Sequence, residues 1–261
     1  MLITLTTDFG YSDSFVGIMK GVIYEINPQA TIVDLTHGVP AQDVLAGALI
    51  LRHSVAYFPP GTIHVAVVDP GVGSARKPLL IEAGGSFFIG PDNGVWSLTL
   101  EENSPSRVIH LSNSDYFLKP TSATFHGRDI FAPAAAHLSL GIAPTSLGMA
   151  VDSFKRTEVP RVKSAAQEIL GEIIYIDAFG NLFTNIRDHD LKDLPREKLS
   201  VQVQEVTVSG VALNYAAVDA GAWVALLNSW GLLEVAVNRD NAQRQIGAKV
   251  GDRIRVVLPG Q

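Results

Sequence analysis

IHVAVVDPGVGSARKP, residues 63–78, is the stretch that decides the fold. Ile63–Val68 reads as a strand that is apolar on both faces apart from His64, which suits a sheet covered by helices on both sides. The run meets an acid, Asp69, then Pro70, Gly71 and Gly73, and reaches a cation at Arg76. Buried strands that feed glycine-rich loops are where α/β proteins keep their chemistry. The scaffold is rigid, and glycine lets the loop backbone approach a ligand closely.

The pattern continues on either side of this stretch. Apolar, β-branched runs at Leu2–Thr6, Thr31–Asp34, Leu79–Glu82 and Phe87–Ile89 alternate with helical stretches at Ser14–Asn27, Ala41–Tyr57 and Arg128–Leu140. Residues 1–150 therefore read as a mostly parallel α/β domain with ligand loops at the carboxyl ends of its strands. Residues 151–168, VDSFKRTEVPRVKSAAQE, are polar and read as a linker. Beyond it, short strands at Glu168–Asp177, Leu182–Asn185, Leu199–Val203, Glu205–Val208, Trp223–Asn228, Leu232–Val237 and Arg253–Leu258 are punctuated by glycine turns. Residues 169–261 thus predict a small antiparallel β-barrel or sandwich.

Composition narrows the function. The 261 residues carry a net charge of −6 and no basic cluster, which argues against a nucleic-acid partner. There is no cysteine, so disulfides, thiol catalysis and thiolate metal sites are excluded. No apolar run reaches membrane-spanning length, and MLITLTTDFG lacks the basic start of a secretory signal, so a cytoplasmic location is expected.

Chemistry-bearing residues cluster at strand ends. Asp8, in TTDFG, closes the first strand, where a carboxylate can take ribose hydroxyls or simply cap a turn. Asp69 and Arg76 bracket their loop as a water-holding pair or as a structural ion pair, and the loop lacks the lysine–hydroxyl ending of a phosphate-binding P-loop. TFHGRDIFAPAAA, residues 124–136, places His126 before a glycine and a helical run. His37, in DLTHGVP, holds a similar place. With Asp8, Asp34, Asp69 and His126 it could ligate a metal, but no metal-ligand spacing supports that, and none is expected. In DAFGNLFTNI, Asp177 suits an ammonium, Phe179 a flat base and Asn181 its polar edge, although Gly180–Asn181 is also an ordinary hairpin turn.

These residues stand in segments that together resemble one family. TTDFG with DSFVGIMKG, IVDLTHGVPAQDV, FPPGTIHVAVVDPGVGSAR, IGPDNG, TFHGRDIFAPAAA, YIDAFGNLFTNI and NSWGLLEVAVN resemble the S-adenosylmethionine hydroxide adenosyltransferases, the hydrolase branch of the superfamily that contains the fluorinase and chlorinase. The resemblance covers nearly the whole chain. It implies a Rossmann-like N-terminal domain, a C-terminal β-barrel, and a homotrimer with active sites between neighbouring subunits. It implies hydrolysis of S-adenosyl-L-methionine to adenosine and L-methionine, with no cofactor beyond the substrate. By motif position, Asp69, Arg76 and His126 would hold the attacking water and Asp8 the ribose. Asp177 and Ser229 would hold the methionine end; Phe179, Asn181 and Tyr215 would meet adenine. The halogenase branch carries a tyrosine at the position of Asp69, a serine at Gly127 and a tryptophan at Gln42, so the hydrolase is favoured. A halogenase and a slow-turnover sensor of adenosine or S-adenosylmethionine are the alternatives.

Overall fold

The computed structural model describes residues 1–101, 103–165 and 168–258. Residues 166 and 167 of the expected linker, and 259–261 at the end of the expected barrel domain, lie outside the described residues. The chain divides into two compact units, Met1–Glu158 and Val159–Gln261.

In the first unit, β1 (Leu2–Thr7), β2 (Thr31–Thr36), β3 (Ile63–Val67), β4 (Pro78–Ala83), β5 (Ser86–Pro91), β6 (Arg107–Leu111) and β7 (Gly148–Ala150) form a seven-stranded sheet in the order β2-β1-β3-β5-β4-β6-β7. Pairing is parallel from β2 to β5 and antiparallel from there to β7. The sheet is therefore mixed, where the sequence pointed to a mostly parallel one. The cause is local. Gly84 and Gly85 stand at φ 56° and 77° and close a tight hairpin between β4 and β5, a turn open to glycine at little cost.

Helices α1 (Phe15–Ile26), α2 (Val44–Arg52) and α3 (Ala132–Ser139) cover this sheet. Ile3, Leu5, Val65, Val67 and Ile89 pack against Met19 and Ile23 of α1 and against the alanines of α3. Ala66, Leu79, Ile81 and Phe88 face the other way, against Leu51 of α2 and Trp96. With both faces covered, β3 is buried along its whole length, which is what its apolar run encodes. Neighbouring parallel strands put their carboxyl ends on one edge: Thr6 lies opposite Thr36, and Thr7 opposite Val67. Asp8, His37 and Asp69 leave the sheet along that edge. Residues 151–158 are tied down, with Lys155 N–H on the Asp92 carboxylate at 2.6 Å and Thr157 N–H on Ser97 Oγ at 2.7 Å.

The second unit holds β8 (Lys163–Ala165), β9 (Glu168–Ile176), β10 (Leu182–Arg187), β11 (Ser200–Val203), β12 (Val206–Ser209), β13 (Trp223–Leu227), β14 (Leu232–Val237) and β15 (Arg253–Val257). They pair antiparallel in the order β12-β11-β15-β9-β10-β14-β13, with β8 on β9. The end strands β12 and β13 come together, so the sheet is nearly a barrel. Ile173, Leu182, Val201, Leu233, Val235 and Ile254 fill its interior. A short helix, α4 (Ala242–Ile246), starts where Asn241 Oδ1 accepts Arg244 N–H at 2.7 Å and stops at Gly247 with φ 64°.

Candidate active site

The loop after β3 folds back on itself. Val72 N–H donates to Asp69 O at 3.2 Å and Ser74 N–H to Gly71 O at 3.1 Å. Gly73, at φ 76°, lies so near Ala123 that a Cβ there would come within 2.2 Å of its carbonyl oxygen. This glycine seats the loop against the segment that carries His126. Asn93, from the turn after β5, donates to the Val68 carbonyl at 2.7 Å and fixes the chain just before Asp69.

The folded loop returns Arg76 to Asp69. Arg76 Nε donates to Asp69 Oδ1 at 2.9 Å and Nη2 to Oδ2, a bidentate pair in which each side chain is only 4% exposed. Arg76 Nη2 also meets His126 Nδ1 at 2.7 Å. The guanidinium lies 5.4 Å from the centre of the Phe131 ring. Its remaining nitrogen, Nη1, is buried and has no hydrogen-bond partner among the described residues. Burial holds the His126 imidazole below its ordinary value, and the neighbouring Arg76 charge adds to this against the opposing Asp69 and Asp129 carboxylates. Because Nδ1 accepts from Arg76, the neutral ring carries its hydrogen on Nε2, and a bond to the Ser122 backbone opposes the fall in its pKa.

His126 precedes a π-helical turn, Gly127–Phe131, that runs into α3, where periodicity predicts an unbroken helix from Arg128. Its neighbours Arg128 and Asp129 serve the scaffold. Arg128 holds the fully buried Asp129 by two bonds, at 2.5 and 3.0 Å, and Ser122 N–H donates to Asp129 at 2.7 Å.

Asp8, Gln42, Asp69, Phe125, His126 and Gly127 line one cleft of about 370 Å3, with Arg76 behind it. Asp8 Oδ2 accepts Gln42 N–H at 2.8 Å, and Gln42 stands at φ 65°, a strained conformation for a non-glycine residue. His37 is buried against Thr7 and Asp34 instead of lining the cleft. Among the described residues, no three His, Asp or Glu side chains converge as ligands of one metal ion would.

The remaining sequence-predicted residues, Asp177, Phe179, Asn181, Tyr215 and Ser229, line a concavity of about 870 Å3 in the second unit. Asp177 Oδ1 accepts the N–H groups of Phe179 and Asn181, each at 2.9 Å, while its Oδ2 accepts Asn181 Nδ2 at 2.9 Å. Asn181 keeps its amide oxygen and the second hydrogen of its amide nitrogen to offer. Phe179 stands 77% exposed at the rim. Gly180, at φ 84°, is demanded by Asn241, whose side chain a Cβ would approach to 2.2 Å.

Glu234 escaped the sequence reading. It is fully buried on β14 and lines the same concavity, and Tyr215 OH donates to its Oε1 at 2.7 Å. Burial pushes the Glu234 carboxyl up, and the Asp177 charge adds to the rise. Burial also raises the Tyr215 phenol, as does its bond to Glu234. The signal was present in LLEVAV, where one acid interrupts an otherwise apolar strand.

Residues 3–148 match the family of SAM hydroxide adenosyltransferase N-terminal domains, and residues 171–255 match the corresponding C-terminal domains. The chain is 38% identical over 257 residues to a protein of Salinispora tropica named (R)-S-adenosyl-L-methionine hydrolase, covering 97% of each. It is 28% identical over 270 residues to a fluorinase of an Actinoplanes species, covering 91% of each. A crystal structure of an uncharacterized conserved protein from Thermotoga maritima superposes with a TM-score of 0.90 at 35% identity, covering 98% of this chain and 100% of that one.

Proposed function

The chain belongs to the SAM hydroxide adenosyltransferase family, and on that footing we propose that it is an enzyme that hydrolyses S-adenosyl-L-methionine to adenosine and L-methionine. The observation that carries this reading is the buried constellation of Asp69, Arg76 and His126 at the wall of a cleft. The higher identity to a protein named hydrolase than to one named fluorinase favours water over halide as the nucleophile.

Water attacks C5′ of the substrate in line with the sulfonium. A C–O bond forms as the C–S bond breaks, and its electron pair leaves on sulfur as a neutral thioether. No general acid is needed. The demanding task is to present a poor nucleophile with hydroxide character at bonding distance. Asp69 accepts the water's proton. Arg76 Nη1 and the Nε2–H of His126 donate to the oxygen as it gains charge. With Nδ1 already accepting from Arg76, His126 orients the water as a donor and leaves the proton to Asp69. An anion attacking a sulfonium cancels charge, so exclusion of water from the cleft strengthens the step.

In the same reading Asp8 holds the ribose hydroxyls from the Rossmann-like, parallel half of the first sheet. Asp177 and Ser229 hold the methionine ammonium and carboxylate. Phe179 and Tyr215 stack on adenine, and the free oxygen of Asn181 accepts from its amino group. In this reading the two residue sets come from neighbouring subunits of a homotrimer, and light scattering of the purified protein tests the trimeric mass.

Chromatography of S-adenosylmethionine incubated with the protein, with and without chloride, decides the activity. Adenosine and methionine in equal amounts under both conditions is the expected result. A 5′-chloro nucleoside formed with chloride would make the chain a halogenase, and no product at all would make it a sensor.

A further inference from the structure

We propose that His37 is a positioning residue that fixes Asp8 for its ligand, through a relay that runs from Lys20 by way of Asp34 and His37 to Thr7. The inference rests on the reading of Asp8 as the ribose-binding carboxylate. Lys20 Nζ donates to Asp34 Oδ2 at 2.6 Å, His37 Nε2 lies 3.1 Å from Asp34 Oδ1, and Thr7 Oγ1 lies 2.8 Å from His37 Nδ1. His37 Nε2 is within ion-pair distance of Asp34 but makes no directed hydrogen bond to it, and with the ring hydrogen on Nε2, Nδ1 accepts the Thr7 hydroxyl hydrogen. The hydroxyl oxygen is then free to accept Phe9 N–H, which it does at 3.2 Å. Thr7 and Phe9 are the residues on either side of Asp8, so one side chain closes the turn that presents it.

The segment that carries His37 grips Asp8 a second time. His37 O accepts Gly10 N–H at 2.8 Å, and Thr7 O accepts Val39 N–H at 3.3 Å. Farther along, Gln42 N–H reaches Asp8 Oδ2 at 2.8 Å from its left-handed conformation. The backbone of Asp8 is thus held through Thr7 and its carboxylate through Gln42.

Residues three apart on a regular strand point to opposite faces, so Asp34 and His37 should not meet. Here β2 carries an extra residue, with Leu5 paired to Asp34 and Thr6 to Thr36 so that Leu35 is left over, and His37 stands just past the strand's end at Thr36. A bulge in a parallel pair is uncommon, and this one re-aims a side chain next to the cleft. A threonine, a histidine and an aspartate in series also resemble a hydrolytic relay. Thr7 is fully buried and His37 is 1% exposed, so neither reaches a substrate, and the series acts through Asp8 alone.

The test is a comparison of adenosine with 2′,3′-dideoxyadenosine, titrated calorimetrically into the wild-type protein and His37→Gln. Kinetics with S-adenosylmethionine run alongside. Adenosine is expected to bind the variant about tenfold more weakly, with KM raised to match and kcat within about threefold. The dideoxy compound, which lacks the hydroxyls, is expected to bind both proteins equally. Equal losses on both nucleosides, or a fall in kcat at unchanged KM, would assign His37 to the scaffold and overturn the proposal. Should His37→Gln not fold, Asp34→Asn alters a partly exposed side chain of the same relay and carries the same comparison. A wild-type protein that does not distinguish the two nucleosides overturns the ribose reading of Asp8 itself, a failure visible without any variant.

Discussion

A carboxylate gripped by two guanidinium nitrogens keeps its remaining lone pairs in fixed directions, so Asp69→Asn changes the chemistry while leaving the shape of the cleft nearly intact. It is expected to lower kcat by roughly 10²–10⁴-fold, the usual worth of a positioned base, while adenosine affinity moves less than about threefold. Equal losses in turnover and affinity would give Asp69 a binding role instead. His126 sets the acid limb of the reaction. Its imidazole titrates below the ordinary histidine value, so it is neutral near pH 7. As pH falls through that lowered value, Nδ1 gains a hydrogen that faces Arg76 and the constellation comes apart. A plot of kcat/KM against pH should therefore decline on the acid side with a midpoint below 6.5, and the decline should vanish in His126→Gln. A midpoint above 6.5 would point to another group.

At the scale of elements, Gly73 is the joint between the Asp69 loop and the His126 segment. Gly73→Ala combines positive φ with a 2.2 Å approach to Ala123 O. The expected loss is at least about 2 kcal/mol of stability, together with a drop in kcat. Gly71→Ala is the control, since its Cβ would meet nothing closer than 3.4 Å and both quantities should barely change. The elements around this joint differ in how far the sequence revealed them. The long apolar runs of β1, β3 and β14 and the helical spacing of Val16, Met19, Val22 and Ile23 were plain, because burial imposes a period on sequence. The three-residue strands β7 and β8 are too short to show a period, and β6, Arg107–Leu111, is little longer. The π-turn after His126 leaves no mark on residue type, and neither does the bulge at Leu35. The site followed the same division. Glycine loops and strand-end acids could be read directly, and Glu234 left its mark as the one acid in LLEVAV, whereas the bonds of Asn93 and Gln42 go to partners far away in sequence, where one chain gives no spacing to read.

Across the whole molecule, stability has a pH dependence of its own, apart from catalysis. His64 lies in the core of the first unit, bonded to Thr4 at 2.9 Å and stacked on Phe88, and burial pushes it down to about 4. The unfolded chain takes up this proton near the ordinary value of 6.5 and the native chain only near 4, so stability is fully present above 6.5 and is lost as pH falls between the two. This one group contributes about 3 kcal/mol of acid sensitivity. Denaturant unfolding at pH 7 and pH 4 should show His64→Phe losing correspondingly less than wild type, and equal losses would place the sensitivity elsewhere. Among the described residues, one apolar cluster gathers Ile3, Met19 and Phe131 in the first unit and another gathers Ile173, Val201 and Leu233 in the second. Each unit thus has an apolar core of its own and is expected to unfold as its own cooperative block. A calorimetric trace should resolve into two components, of which Gly73→Ala and acid shift one, giving the second unit the role of an internal thermometer for damage to the first.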